Sequence, residues 1–222
     1  MSAVLDSLPP GPGPDPCRQV VEGLVRDGFA VVPQFLSPAL WRALRREALL
    51  RDRRQEFVCA AIGREDNQHR NDLIRRDRTC WLDNGSLAQT RLREQLEQLR
   101  LAINRELFLG LFDYEAHFAI YEPGAFYRRH LDAFDSANPR VVSTVLYLNP
   151  GWLAPQGGNL RIWPRRDARE PVAEVVPEAG TLVCFLSEAI PHEVLAAQRQ
   201  RLSIAGWFRR NTSREQCIDP AC

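Results

Sequence analysis

From residue 115 to 210 the chain consists of short runs rich in β-branched and aromatic residues, each cut off by Pro or Gly: EAHFAIYEPG, VVSTVLYLNP, GGNLRIWP, GTLVCFLS and LSIAGWF. Runs of this kind, punctuated by turn formers, pair as antiparallel strands and close into a sandwich or barrel. The period upstream is different. Leu92, Leu96, Leu99 and Ile103 recur at helical spacing and predict a helix from Ser86 to about Leu109. No internal repeat is seen. The layout is therefore helices first, then a β region that rests on them, an α+β arrangement.

Two further helices are expected near the N-terminus. One runs from Cys17 to about Asp27, with Val20, Val21, Leu24 and Val25 at helical spacing and Gly28 as its stop. The run FAVVPQFL follows as a short strand broken at Pro33. Ser37 then serves as an N-cap with Pro38 in the first helical position, opening a helix over 38–52 that carries Leu40, Leu44 and Leu49. Residues 62–78 are strongly polar and read as a long loop. Residues 1–16, rich in Pro and Gly, are expected to be flexible. The expected organisation is one domain over 17–212, with helical support over 17–110 and a β core over 111–210. A polar tail follows at 213–222.

Composition excludes several classes. The 222 residues are 45% hydrophobic and 26% charged, which suits a globular domain with a sizeable core. No apolar run is long enough to span a bilayer, and the N-terminus lacks the basic start and apolar stretch of a secretion signal. A cytoplasmic location is expected. The net charge of +1 offers no electrostatic reason for a nucleic-acid partner. All the basic side chains are Arg, whose planar fork suits carboxylate ligands. None of the six cysteines forms a CxxC pair, so a structural zinc site is not expected and reduced thiols are the default. Cys217 and Cys222 in the tail could pair on oxidation.

Chemistry enters at His130-Leu131-Asp132. On a strand, residues two apart point to one face, so His130 and Asp132 can reach one ion together. His192 lies about sixty residues further on, and a return strand of a jelly roll would bring it beside them. Two imidazoles and a carboxylate on one face of a metal leave positions open, the arrangement of non-haem Fe(II) oxygenases. His-x-Asp alone arises by chance in many proteins. The spacing to His192 and then to Arg201, nine residues later, makes the set more specific. Arg201 opens the apolar run RLSIAGWF. If buried there it needs a partner, such as a carboxylate gripped in a bidentate pair. A surface Arg at a strand end fits the same spacing.

The stretches DGFAVVPQFL, IRRDRTCWLDNG, YEPGAFYRRHLD, VLYLNPGWLAPQGGNLRIWP and PHEVLAAQRQRLSIAGWF, spread over residues 24–208, resemble the 2-oxoglutarate oxygenase superfamily. Within it they resemble the prolyl hydroxylases of the hypoxia-sensor type. The resemblance implies a double-stranded β-helix (a jelly-roll, cupin-like core) on N-terminal supporting helices. It implies Fe(II) on His130, Asp132 and His192, with 2-oxoglutarate and dioxygen as co-substrates and ascorbate as a reductant. By the same likeness Arg201 and Tyr147 hold the 2-oxoglutarate carboxylate. Tyr121 lies near its C1 end, and Trp207 and Leu160 line its pocket. Asp77 holds a water near the metal, and Tyr127 and Arg129 flank the substrate entrance. The implied reaction is hydroxylation at C4 of a prolyl residue in an exposed loop of a protein, with the 62–78 loop as a cover. Bacterial relatives suggest a translation factor as the substrate.

Blander readings stand beside these. Tyr147 and Trp207 also suit ordinary core aromatics, and Asp77 suits a solvated loop among Arg75, Arg76 and Arg78. The chain departs from the family at three positions: His117 replaces an apolar residue, Leu146 the first Tyr of a Tyr pair, and Asn159 an apolar residue. His117 could alter how tightly 2-oxoglutarate is held. Two rivals remain open: the same chemistry on a free amino acid or other small molecule, and an oxygen-sensing module that holds metal without turnover.

Overall fold

The structure is a computed structural model that describes residues 15–60, 73–133 and 138–211. Most of the expected flexible N-terminus, much of the 62–78 stretch, and Cys217 and Cys222 lie outside the described residues.

The sequence signals for helix ends operate as expected. Helix α1 (Pro16–Asp27) starts with proline at its first position, where Asp15 accepts from the Cys17 N–H at 3.0 Å. It stops at Gly28, whose φ of 76° only glycine adopts without strain. Helix α2 (Pro38–Arg53) is capped by Ser37, and α3 (Leu87–Leu107) by Ser86. The helical spacing groups Val25 with Val20 and Leu24, yet Val25 is 68% exposed while the other two are buried.

The strands are β1 (Phe29–Val32), β2 (Val58–Cys59), β3 (Asp77–Trp81), β4 (Leu111–Tyr121), β5 (Tyr127–His130), β6 (Arg140–Tyr147), β7 (Leu160–Ile162), β8 (Ala173–Val175), β9 (Leu182–Leu186), β10 (His192–Val194) and β11 (Arg201–Arg210). They form two antiparallel sheets. The larger has the order β1-β9-β6-β11-β4-β3-β2 and the smaller β5-β10-β7-β8. The polar stretch 62–78 does not stay irregular to its end, because Asp77 and Arg78 open β3 and pair with β4. Their charges are tolerated there because each finds an ionic partner: Asp77 binds Arg75, and Arg78 binds Asp52 and Glu122.

Alternation along the large sheet decides which side chains meet the helices and which meet the small sheet. Phe118 and Ile120 of β4, Val142 and Leu146 of β6, and Leu202, Ile204 and Phe208 of β11 pack with Leu24, Leu44, Leu92, Leu96 and Leu99 of the helices. Each such side chain contributes roughly 1.5–3 kcal/mol by leaving water. Leu146, the departure from the family's Tyr pair, belongs to this layer and is fully buried. The residues in between, including Ala119, Tyr121 and Tyr147, face inward onto Leu160, Ile162 and Val194 of the small sheet. Gly206 is required on the helix side, since a Cβ there would collide with the Tyr114 hydroxyl. Among the described residues no helix is long and apolar enough to cross a membrane.

Candidate metal and co-substrate site

β10 lies between β5 and β7, and its register sets His192 directly opposite His130. The expectation that His130 and Asp132 share a strand face needs correction. β5 ends at His130, and Asp132 follows in a bend just beyond it. The two side chains converge all the same. One ligand atom from each of His130, Asp132 and His192 lies within 4.8 Å of the others. Asp132 Oδ1 is 3.5 Å from His130 Nε2 and 3.7 Å from His192 Nε2.

Neighbouring groups fix how each ligand points. His130 Nδ1 is 2.7 Å from the Arg128 carbonyl, and His192 Nδ1 is 3.1 Å from the Ile190 carbonyl. A carbonyl only accepts, so Nδ1 carries the proton in both rings and Nε2 turns a lone pair inward. Asp132 Oδ2 accepts from Ser143 Oγ at 2.6 Å and from Trp207 Nε1 at 2.9 Å, which leaves Oδ1 for the histidines. Burial pushes His192 down to about 4, and the neighbouring His130 imidazole adds to the effect. Burial alone would raise the Asp132 carboxyl. The two neighbouring imidazoles, His192 first, and the Ser143 hydroxyl outweigh it and hold the group well below the usual carboxylate range. At neutral pH the set therefore includes a neutral His192 and an anionic Asp132. This donor set fits Fe(II), and with so few protein ligands it leaves coordination positions for other molecules.

The cavity beside it, about 350 Å³, is lined by Arg201, the three ligands and Trp81 among others. Arg201 stands at the start of β11 and is 1% exposed, which excludes a surface role. Its Nε donates to the Gly158 carbonyl at 2.9 Å and its Nη1 to Ser203 Oγ at 3.3 Å. Its Nη2 has no partner, and neither has the fully buried Tyr147 hydroxyl. The guanidinium carbon lies 5.0 Å from the Tyr121 ring centre and 5.1 Å from that of Tyr147. Among the described residues no carboxylate pairs with this buried cation. A guanidinium buried with an unmade hydrogen bond is costly unless a ligand completes it, and a carboxylate suits both orphan donors. Gly158 makes the room: a Cβ there would lie 3.2 Å from Arg201 Cδ and 2.9 Å from the Ala197 Cβ.

Comparison with known proteins agrees with this geometry. Residues 116–209 match the model of the 2OG-Fe(II) oxygenase superfamily. A crystal structure of a Pseudomonas putida prolyl-4-hydroxylase shares 46% identity and superposes with a TM-score of 0.78, over 87% of this chain and 98% of that one. The chain belongs to the 2OG-Fe(II) oxygenase superfamily. A prolyl hydroxylase from Trichoplax adhaerens, solved with a peptide fragment of hypoxia-inducible factor, has the same fold at 24% identity and a TM-score of 0.77, covering 87% of this chain and 88% of that one. A hypoxia-inducible factor prolyl hydroxylase of Caenorhabditis elegans is 28% identical over 92% of this chain, which spans 30% of that protein's length.

The remaining candidates of this oxygenase divide into those at the cavity and those away from it. Tyr121, Tyr127, Leu160, Trp207 and Asp77 line it. Asp77 is 3% exposed, so it is no solvated loop acid. Its two oxygens accept from Arg75 Nε at 2.6 Å and Nη2 at 2.8 Å. Arg75 in turn lies over the Tyr127 ring at 4.7 Å, and Tyr127 stacks on His130 at 3.6 Å. Asp77 is thus tied to the metal ligand through two stacked groups. Arg129 does not reach the cavity lining. It donates to the carbonyls of Arg165, Arg166 and Ala168 and lies 4.4 Å over the Trp163 ring, holding that turn. Asn159 is buried and donates to Glu174 at 2.7 Å.

Sequence reading missed Ser143, Arg75 and Gly158. Ser143 had a legible signal, since in VVSTVLY it shares the parity of Tyr147 and so the inward face. Arg75 had none, because its partner Asp77 is visible only once the polar stretch is seen to enter a strand.

Proposed function

We propose that this oxygenase hydroxylates a prolyl residue at C4 in a polypeptide, consuming 2-oxoglutarate and dioxygen and giving succinate and carbon dioxide. The observation that carries the reading is that the His130, Asp132 and His192 cluster shares its cavity with Arg201, whose Nη2 is orphaned next to the equally orphaned Tyr147 hydroxyl. Bound Fe(II) with 2-oxoglutarate and dioxygen supplies the oxidative decarboxylation and the oxygen atom that enters the C–H bond.

The chain's own groups orient and seclude. His130 and His192 present Nε2 because backbone carbonyls hold their Nδ1 protons. Ser143 and Trp207 turn Asp132 Oδ1 toward them. Arg201 and Tyr147 grip the distal carboxylate of 2-oxoglutarate, with Tyr121 packed against the guanidinium and Leu160 walling the pocket. Tyr127, stacked on His130 and lining the cavity, would flank the target ring, and Asp77 keeps Arg75 over Tyr127. A water held by Asp77 fits the lone pairs its Arg75 contacts leave over. Arg129 would act at the entrance only through the turn it holds. Likeness to prolyl hydroxylases favours a proline in an exposed protein loop, with a translation factor among the candidates.

The test is mass spectrometry of lysate proteins incubated with the chain, Fe(II) and 2-oxoglutarate. The expected result is one added oxygen on specific prolines, absent with His130→Ala. Succinate formation stimulated by a free amino acid, with no modified protein, would favour the small-molecule reading.

A further inference from the structure

The same cavity is lined by His117 on β4, which pairs with Ala205 and sits beside the Trp207 indole whose Nε1 holds Asp132. His117 is 4% exposed. The Trp81 ring meets it edge-on at 5.1 Å, and the Trp207 ring lies 5.4 Å away on another side. Neither Nδ1 nor Nε2 has a hydrogen-bond partner. The charged groups that act on it outside the metal ligands are matched in pairs, Arg75 with Asp77 at 2.6 Å and Arg140 with Glu115 at 2.7 Å. This cavity therefore has buried, unmatched polar atoms in two places. The Arg201 and Tyr147 pair is accounted for by a carboxylate. His117 is left over, and no step at the metal uses it.

Burial pushes the His117 imidazole down to about 3, so at neutral pH it is an uncharged ring with one N–H and one lone pair. Such a ring does not call for a charged ligand. The nearby Arg140 is already balanced by Glu115 and lies 3.6 Å over the Trp207 ring. A free amino acid would bring an ammonium and a carboxylate into a corner with no charge to spare. A polypeptide brings neutral carbonyls and apolar side chains. The peptide bond before a proline has a carbonyl but no N–H. Against that bond the imidazole acts as a donor. The Trp207 indole touches both groups, its ring 5.4 Å from that of His117 and its Nε1 on Asp132, a reach comparable to one or two residues of chain at roughly 3.8 Å each.

Resting on the prolyl-peptide reading above, we infer that His117 reads the substrate backbone: its imidazole N–H donates to a peptide carbonyl flanking the hydroxylated residue, and the Trp81 and Trp207 rings wall that segment. His117 is then a specificity-determining residue that the family's apolar counterpart cannot replace.

The test uses the full chain with Fe(II) and 2-oxoglutarate under anaerobic conditions. The probes are a capped alanine peptide with one central proline and the same peptide with thioamides on both sides of the proline, since a thiocarbonyl is the weaker acceptor. Dissociation constants are read by calorimetry. His117→Leu is expected to weaken the amide peptide about tenfold and the thioamide peptide about twofold at most. The 2-oxoglutarate affinity should stay unchanged, and the Tm of the free chain should not fall, because Leu leaves no hydrogen bond unmade. His117→Asn, which retains a donor, should recover part of the binding. Equal loss on both peptides, a loss that falls on 2-oxoglutarate, or a drop in Tm equal to that of a core deletion overturns the inference. Should His117→Leu not fold, His117→Met and His117→Asn carry the same comparison. A wild-type chain that binds neither peptide defeats the prolyl-peptide reading itself, and the inference with it. Wild-type binding followed by equal losses defeats the inference alone.

Discussion

Along β11 alternate side chains do opposite things. Leu202, Ile204 and Phe208 pack into the layer beneath the helices, whereas Arg201, Ser203 and Trp207 line the cavity. The helix side of the strand is apolar. The cavity side carries unmade hydrogen bonds at Arg201, Tyr147 and His117. One strand thus supplies stability with one face and ligand-binding capacity with the other. Substitutions on the two faces should separate in what they change.

The largest effect belongs to the metal ligands. Asp132→Ala should remove 2-oxoglutarate turnover altogether, measured as succinate, while the circular dichroism spectrum stays that of the wild type. On the opposite face, Phe208→Ala should cost about 3–5 kcal/mol of stability in urea unfolding and leave the turnover of the folded fraction intact. If Phe208→Ala instead abolished turnover at full folding, the two faces would not be separable.

Smaller effects sharpen the contrast. Arg201→Ala should raise the 2-oxoglutarate concentration needed for half-maximal turnover about a hundredfold through lost charge-assisted bonds, with iron binding retained. Ser143→Ala removes one of the donors on Asp132 Oδ2 and should weaken iron affinity by about tenfold, read by competition with a chelator. The effect that is nil at neutral pH and grows only on acidification concerns the metal-free chain. His117 takes up a proton near 6.5 when unfolded but only near 3 when folded. The unfolded state therefore binds more protons between those values, and stability falls as pH drops below 6.5. The fall is about 1.4 kcal/mol per pH unit for one such group. His192, depressed to about 4, adds a second slope that ends sooner. His117→Leu should remove only its own share, visible as a shallower loss of Tm on acidification.

The division between the faces was only partly legible in the sequence. The helix side announces itself through 3.6-residue spacing and caps, so α1, α2 and α3 fall within a residue or two of expectation. The ligand set was legible because the order His-x-Asp, then His192, then Arg201 nine residues later is specific where each residue alone is not. The route by which they meet was not. Asp132 joins from a bend rather than from a strand, because the small sheet stops at His130. Asp77 was hidden for a related reason: its charge reads as solvated until Arg75, two residues away, is seen to neutralise it under Tyr127. His117 was visible only as a departure from the family, and its unpartnered nitrogens required coordinates.

The most direct measurement is an anaerobic titration of the metal-free chain with Fe(II) and then 2-oxoglutarate, repeated on His192→Ala and Arg201→Ala. One Fe(II) per wild-type chain is expected, with 2-oxoglutarate binding tightly only once iron is present. His192→Ala should lose most of the iron affinity, and Arg201→Ala should keep iron while losing 2-oxoglutarate. Iron binding undiminished in His192→Ala, or 2-oxoglutarate binding undiminished in Arg201→Ala, would contradict a single cavity in which three ligands hold the metal and a buried Arg201 holds its co-substrate.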